Sequence, residues 1–171
     1  MKGILTLTVN NRPGVLNRIT NLFTKRNYNI ESITVGASEQ SGISRITVVV
    51  HVDDAMQIEQ MTKQLNKQID ILKVTDLSSQ AIVARELALV KVMVSSQTRS
   101  EIYSVIEPFR ASVIDVGRES LTIQITGETE KIEAFIELIK PFGIKELART
   151  GTTAFQRGLQ LSNSPKSVTI V

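Results

Sequence analysis

Twice along this chain, apolar residues switch between a two-residue and a helical period in the same order. No other feature limits the fold as tightly. Ile4 to Val9 ("ILTLTV") alternates as a strand, and Val15, Leu16, Ile19, Leu22 and Phe23 then recur at helical spacing, ending near Asn27 and Asn29. "IESITVG" and "ISRITVVVHV" are β-branched runs on either side of "ASEQSG", which predicts a hairpin. A helix is expected from about Asp54, with Ile58, Met61, Leu65 and Ile69 on one face, and "ILKVTDL" reads as a closing strand. The second half repeats the plan. "ELALVKVMV" is a strand, Ile102, Val105, Ile106 and Phe109 form a helical stripe with Pro108 in its last turn, and "SVIDVG" and "SLTIQITG" make a hairpin around Gly117 to Glu119. Ile132, Phe135, Ile136 and Ile139 form a stripe stopped by Pro141, and "IKELART" is the last strand.

Each half therefore spells βαββαβ, the ferredoxin-like order. The expected fold class is α+β, with two tandem ferredoxin-like domains at 1–78 and 84–157, a polar linker around Ser78 to Arg85, and a mobile tail at 158–171. The halves share the order of elements and not their sequences. In each, two helices are expected to cover one sheet face and leave the other open. Two capping boxes are also expected. In Asp54-Ala55-Met56-Gln57 the Gln would reach back to the cap, and Thr98-Arg99-Ser100-Glu101 would open the third helix. "GTTAF" is read as a short extension.

Composition narrows the function. Aromatic residues are 4% with no Trp, so the cores must be built from Ile, Val and Leu. The absence of Cys removes disulfides and thiolate chemistry, and the single His51 is too little for a histidine metal site. On strand "RITVVVHV", Ile46, Val48, Val50 and Val52 share one face, while Thr47, Val49 and His51 share the other. His51 is thus expected on the open face or at a subunit contact, with no carboxylate partner apparent. The net charge of +3 is spread over both signs along the chain without a basic block, so no nucleic-acid footprint is expected. RNA-recognition domains share the element order but read bases with aromatics on their central strands; "SRITVVVHV" has none. No apolar run approaches the roughly 18 to 20 residues needed to cross a bilayer, and "MKGILTLTVN" reads as a strand and not as a signal peptide. A cytoplasmic protein is expected, with no membrane partner.

The turn "NNRPGVLNRI" has no nucleophile or base, yet it feeds a strand directly into a helix. Unpaired N–H groups and the helix dipole at such a junction suit a small carboxylate. Gly14 lets a ligand approach the main chain, Pro13 stiffens the turn, and Asn11 adds an amide that donates and accepts. Asn29 and the backbone of Ile30 offer acceptors for an ammonium group. Val15, Leu16, Ile33 and Val35 offer apolar surface for an aliphatic side chain. Together these would hold a free amino acid. Asn, Pro and Gly also populate turns for conformational reasons alone.

"TVNNRPGVLNRITNLFTKRNYNIESITVG" resembles the first βαβ of an ACT domain, and more narrowly that of the small regulatory subunits of acetolactate synthase (acetohydroxyacid synthase). "SRITVVV", "QLNKQIDILKV", "RELALVKV", "FRASVIDVG", "LTIQITG" and "ELARTG" follow that family's order across nearly the whole chain, leaving out only the last fifteen or so residues. The resemblance implies a chain that is not itself an enzyme and that activates a large catalytic subunit. That partner carries thiamine diphosphate, FAD and Mg, in a committed step of branched-chain amino acid synthesis. It also implies feedback inhibition by valine, with leucine or isoleucine as further effectors, bound between the ACT domains of a homodimer. One chain would offer Asn11, Gly14, Val15 and Leu16, and the other Asn29 and Ile30. No catalytic residue, metal ligand or cofactor is implied in this chain. Another amino-acid-sensing ACT regulator is the alternative, and the second-half motifs speak against it.

Overall fold

The computed structural model describes residues 1–158; the remainder of the expected tail lies outside them. The first half runs β1 (Lys2–Asn10), α1 (Val15–Lys25), β2 (Ile30–Ala37), β3 (Ile43–His51), α2 (Ala55–Leu65) and β4 (Ile71–Asp76). The second runs β5 (Ile82–Met93), α3 (Arg99–Ile106), β6 (Ser112–Val116), β7 (Ser120–Gly127), α4 (Thr129–Ile139), β8 (Ile144–Arg149) and β9 (Thr153–Gln156). The sheets are ordered β2-β3-β1-β4 and β6-β7-β5-β8, all neighbours antiparallel, with β9 pairing the first residues of β5. Both halves are therefore ferredoxin-like, as the element order predicts.

Period decides the cores. Leu5, Leu7, Val9, Ile46, Val48 and Val50 point to the helix side of the first sheet and meet Val15, Ile19 and Phe23 of α1 and Ile58, Met61 and Leu65 of α2. Ala88, Val90, Val92, Leu121, Ile123 and Ile125 do the same in the second, against Ile102, Ile106, Ile132, Phe135, Ile136 and Ile139. Phe109 packs edge-on to Phe135 at 5.4 Å between ring centres. Pro141 ends α4, and the chain tightens into a 3-10 turn at Lys140–Phe142.

Several expectations need correcting. Ile69 is 93% exposed, because α2 ends at Leu65 and the following turn carries Ile69 off the buried face. Pro108 lies beyond α3, in the turn that follows it. The Asp54 side chain does accept from the Gln57 N–H at 2.9 Å, but Gln57 Oε1 accepts from Asp53 and not from the cap residue. At α3 the reciprocal pair sits three residues early. Ser95 N–H donates to Thr98 Oγ1 (3.0 Å), Thr98 N–H donates to Ser95 Oγ (3.2 Å), and Thr98 itself makes no cap bond into the helix. The chain expected as linker enters β5 at Ile82, because four residues from Ile82 to Arg85 pair with β9.

That ribbon corrects a larger point. The first sheet's second face is not open. Thr6, Thr47 and Val49 lie on it and are buried, as are Thr152 and Ala154 from the other half. Arg45 Nη2 donates to the Ala154 carbonyl at 3.4 Å, across the gap between the halves.

The corrected α2 face predicts a contrast. Leu65→Ala should cost roughly 2 to 5 kcal/mol, whereas Ile69→Ala should stay within about 0.5 kcal/mol of the parent. Urea unfolding of both variants measures it; equal losses would mean that the turn after α2 packs differently.

Candidate functional site

β1 stops at Asn10 because two polar residues, Asn11 and Arg12, and then Pro13 follow. Two contacts then fix the turn. Asn10 N–H donates to the Asp70 carbonyl (2.9 Å), and Asn11 N–H donates to the Gly42 carbonyl (2.8 Å) in the β2–β3 hairpin. The buried Asp70 carboxylate also takes the Arg18 guanidinium, so α1 is tied to the chain entering β4. Gly14 is the N-cap of α1, with φ +84°, a left-handed conformation that costs residues with a Cβ roughly 1 kcal/mol or more. A Cβ there would meet nothing within 4 Å, so the space above Gly14 is open.

No side chain caps α1. Val15 N–H donates to the Arg12 carbonyl at 3.3 Å, and Arg18 N–H to Gly14 at 3.0 Å. Among the described residues, the N–H groups of Leu16 and Asn17 find no acceptor in the chain. The first turn has no acidic residue to answer the dipole. The arrangement is chemically suited to hold a carboxylate at the open mouth of the turn.

The side chains divide unequally. Val15 is buried in the core, so it offers the turn only its backbone, while Leu16 is 43% exposed beside it. Ile33 packs against the first core, whereas Val35 is exposed. Asn29 is exposed just before β2, and Ile30 is the first residue of that strand. Register shows how far these groups lie apart. β1 and β2 each run antiparallel to β3, with Asn10 opposite Ile43 and Ile30 opposite Val50. Asn11 and Gly14 thus sit at one end of the sheet, and Asn29 and Ile30 at the other, roughly 20 Å along the strands. One chain does not bring the six residues together.

A second constellation was missed from the sequence. At the junction of the halves, Glu86 is 5% exposed and takes two bonds from Arg149, from Nε at 2.5 Å and from Nη2 at 3.1 Å. Arg149 Nη1 donates to Glu133 at 2.5 Å. The bonds to Glu86, ahead of a smaller opposing effect of burial, raise the Arg149 pKa beyond its already high ordinary value, so it is charged at every working pH. Beside it, Thr34 Oγ1 lies 3.2 Å from the Thr150 and Thr152 carbonyls, to which it donates. Gly151, at φ +80°, lets the chain break between β8 and β9, and a Cβ there would stand 2.9 Å from the Cβ of Ser32. Glu86, Glu133, Arg149, Ser32 and the Thr150–Thr152 break line a cleft of about 450 Å³ between the halves. One signal was legible: Glu86 alternates with Ala88, Val90 and Val92 on an inward face, where a carboxylate requires a partner. His51 also gains a carboxylate, with Nδ1 3.0 Å from Glu31, which pairs with Lys2 at 3.1 Å as well. Among the described residues no three potential ligands cluster as a metal site, and no helix is long and apolar enough to cross a membrane.

A ferredoxin-like sheet with a glycine-capped turn after its first strand, joined to a second ferredoxin-like sheet, is the arrangement of an ACT-type domain followed by a second unit. Residues 5–73 match the family model for the AHAS small subunit-like ACT domain, and residues 85–158 the model for the small subunit of acetolactate synthase. The acetolactate synthase small subunit of Bacillus subtilis is 66% identical, with both chains covered in full. The probable acetolactate synthase small subunit of Methanothermobacter thermautotrophicus is 53% identical, over 91% of this chain and 92% of that one. The crystal structure of the acetolactate synthase small subunit from Thermotoga maritima superposes with a TM-score of 0.87 at 41% identity, covering 94% of this chain and 99% of its own. This chain belongs to the acetolactate synthase small subunit family.

The junction generates its own test. Arg149→Met leaves Glu86 buried without a partner and should cost about 3 kcal/mol, the lower end for broken buried pairs because Arg149 is partly exposed. Replacing both partners, Glu86→Leu with Arg149→Met, should recover most of that loss, as read by urea unfolding.

Proposed function

We propose that this chain is the non-catalytic regulatory subunit of acetolactate synthase, which raises the activity of a large catalytic subunit and confers feedback inhibition by valine. The observation that carries the reading is the split site. β2 is an edge strand of the first sheet. If two chains pair antiparallel along β2, the reversal carries Asn29 and Ile30 of one chain to the end of the sheet that holds Asn11, Gly14, Val15 and Leu16 of the other. The carboxylate of valine then meets the free N–H groups behind Gly14. Its ammonium meets the Asn29 amide oxygen and the Ile30 carbonyl, and its isopropyl group lies against Leu16 and Val35. The same pairing covers an edge that would otherwise invite aggregation.

A ligand that touches both chains favours one relative arrangement by as much as its affinity differs between arrangements. Couplings of about 1 to 3 kcal/mol change a partner's affinity or activity roughly 5- to 150-fold, and this is enough for feedback control. Thiamine diphosphate, FAD and Mg belong to the catalytic partner in this reading. The domains are 1–78 and 84–157, the compartment is the cytoplasm, and leucine or isoleucine would lie on the same surface as valine.

Mixing variants tests the split site. Gly14→Glu places bulk and negative charge where the carboxylate binds and should abolish valine binding by isothermal titration. Asn29→Ala should weaken it by about 1 to 3 kcal/mol. Co-refolded, the two variants form heterodimers in which one site is doubly damaged and the other intact. A tight-binding phase of about a quarter of the parent's sites should therefore return; no recovery means that the site is built within one chain.

A further inference from the structure

Folding gathers charge that the sequence spreads out. Between the strands of the first half, residues 11–29 and 52–70 carry six basic and four acidic residues, but Asp53, Asp54 and Asp70 lie at the ends of the α2 connection and Glu59 alone lies within the helices. The corresponding layer of the second half, residues 96–111 and 128–143, carries six acidic and four basic residues. On the first layer, α1 and α2 border two adjoining grooves of about 340 and 520 Å³, which share Arg26 and Gln64. Their walls are donors: Lys25, Arg26 and Lys67, with the amides of Gln60 and Gln64 on successive turns of α2 and of Gln68 in the turn that follows it. Arg18 is committed to Asp70 and Lys63 to Glu59 (2.6 Å), but Lys25, Arg26 and Lys67 make no ion pair among the described residues. Thus a strip of unanswered positive charge with amide donors runs along a face that neither the sheet nor the second half covers.

We infer that this groove is the docking surface for an acidic segment of the catalytic subunit. Ammonium, guanidinium and amide groups at one-turn spacing match carboxylates on an extended or helical partner, and the groove itself holds no carboxylate to repel them. The inference rests on the family reading, since it takes the large subunit as occupant. It also separates two tasks on the same half. The β2 edge and the turn before α1 meet a second copy and the effector, while the opposite side of α1 and α2 meets the catalytic subunit. Long-range attraction of this kind speeds association and weakens as salt rises.

The test titrates the large subunit from the same source with this chain and follows acetolactate formation at about 50 and 300 mM salt, concentrations that screen such charges differently. Lys25→Glu with Lys67→Glu should raise the half-saturating concentration at least 10-fold at low salt and flatten its salt dependence. The milder Lys25→Gln with Lys67→Gln should shift it in the same direction by less. Valine binding and dimer mass should be unchanged in both, and Glu101→Lys with Glu137→Lys on the second helix layer should not weaken association. Unchanged half-saturation and salt slope in the reversed variant would overturn the inference. So would loss of the dimer in that variant, which would make the groove a contact between copies. A parent chain that neither binds nor activates the large subunit would overturn the family reading instead.

Discussion

A four-stranded sheet with two helices on one side leaves a face and two edges uncovered, and the rest of this molecule answers that shortfall. In the first half the bare face is filled from within the chain, by the ribbon of β5 and β9 and the break that carries Gly151. One edge strand, β4, lies beside β1; the other, β2, has an outer backbone that no strand pairs among the described residues. Burial of the face and exposure of the edge are thus two outcomes of a single geometric deficit. The anion-ready turn sits beside that edge because Asn11 is bonded to the hairpin that ends β2.

The junction ties the two small units to each other. Glu86 would be costly to bury alone, and Arg149 reaches it from β8 while holding Glu133 of α4. The charged network therefore fixes the sheet of the second half at the place where the chain turns back toward the first. Thr34 then supplies the hydroxyl that the Thr150–Thr152 break needs for its carbonyls. Hydrogen bonds from side chain to backbone thus add to the apolar burial of Val49 and Ala154 between the units, and such bonds are directional where apolar contact is not.

How much of this was legible follows from period. Strands and helices with strict alternation or a clean stripe, such as "ILTLTV" or Ile132 to Ile139, fall where the pattern puts them. Ile69 failed because the helical stripe continued in the sequence after the hydrogen bonds of α2 had stopped. The capping boxes shifted because several polar residues near each start compete for the same donors; Ser95 won over Thr98's expected role, and Asp53 took the Gln57 side chain. The ribbon was hidden because Ile82 to Arg85 pair with residues about 70 positions away, which local pattern cannot reveal. The six candidate residues of the turn and the start of β2 are proposed from turn chemistry and family resemblance. Their separation across the sheet needed the register. The basic groove escaped notice for a related reason: its members are spaced along two helices, and only packing turns them into a strip.

β5 belongs to both units. Its first residues lie with β9 over the first sheet, and its remainder runs through the centre of the second. At twelve residues it spans about 35 Å. A strut of that length acts as a lever arm: tilting its root by about 5° sweeps the far tip through roughly 3 Å. Small rotations at the root of β5 would then be read out as displacements of the second sheet, without either core having to loosen.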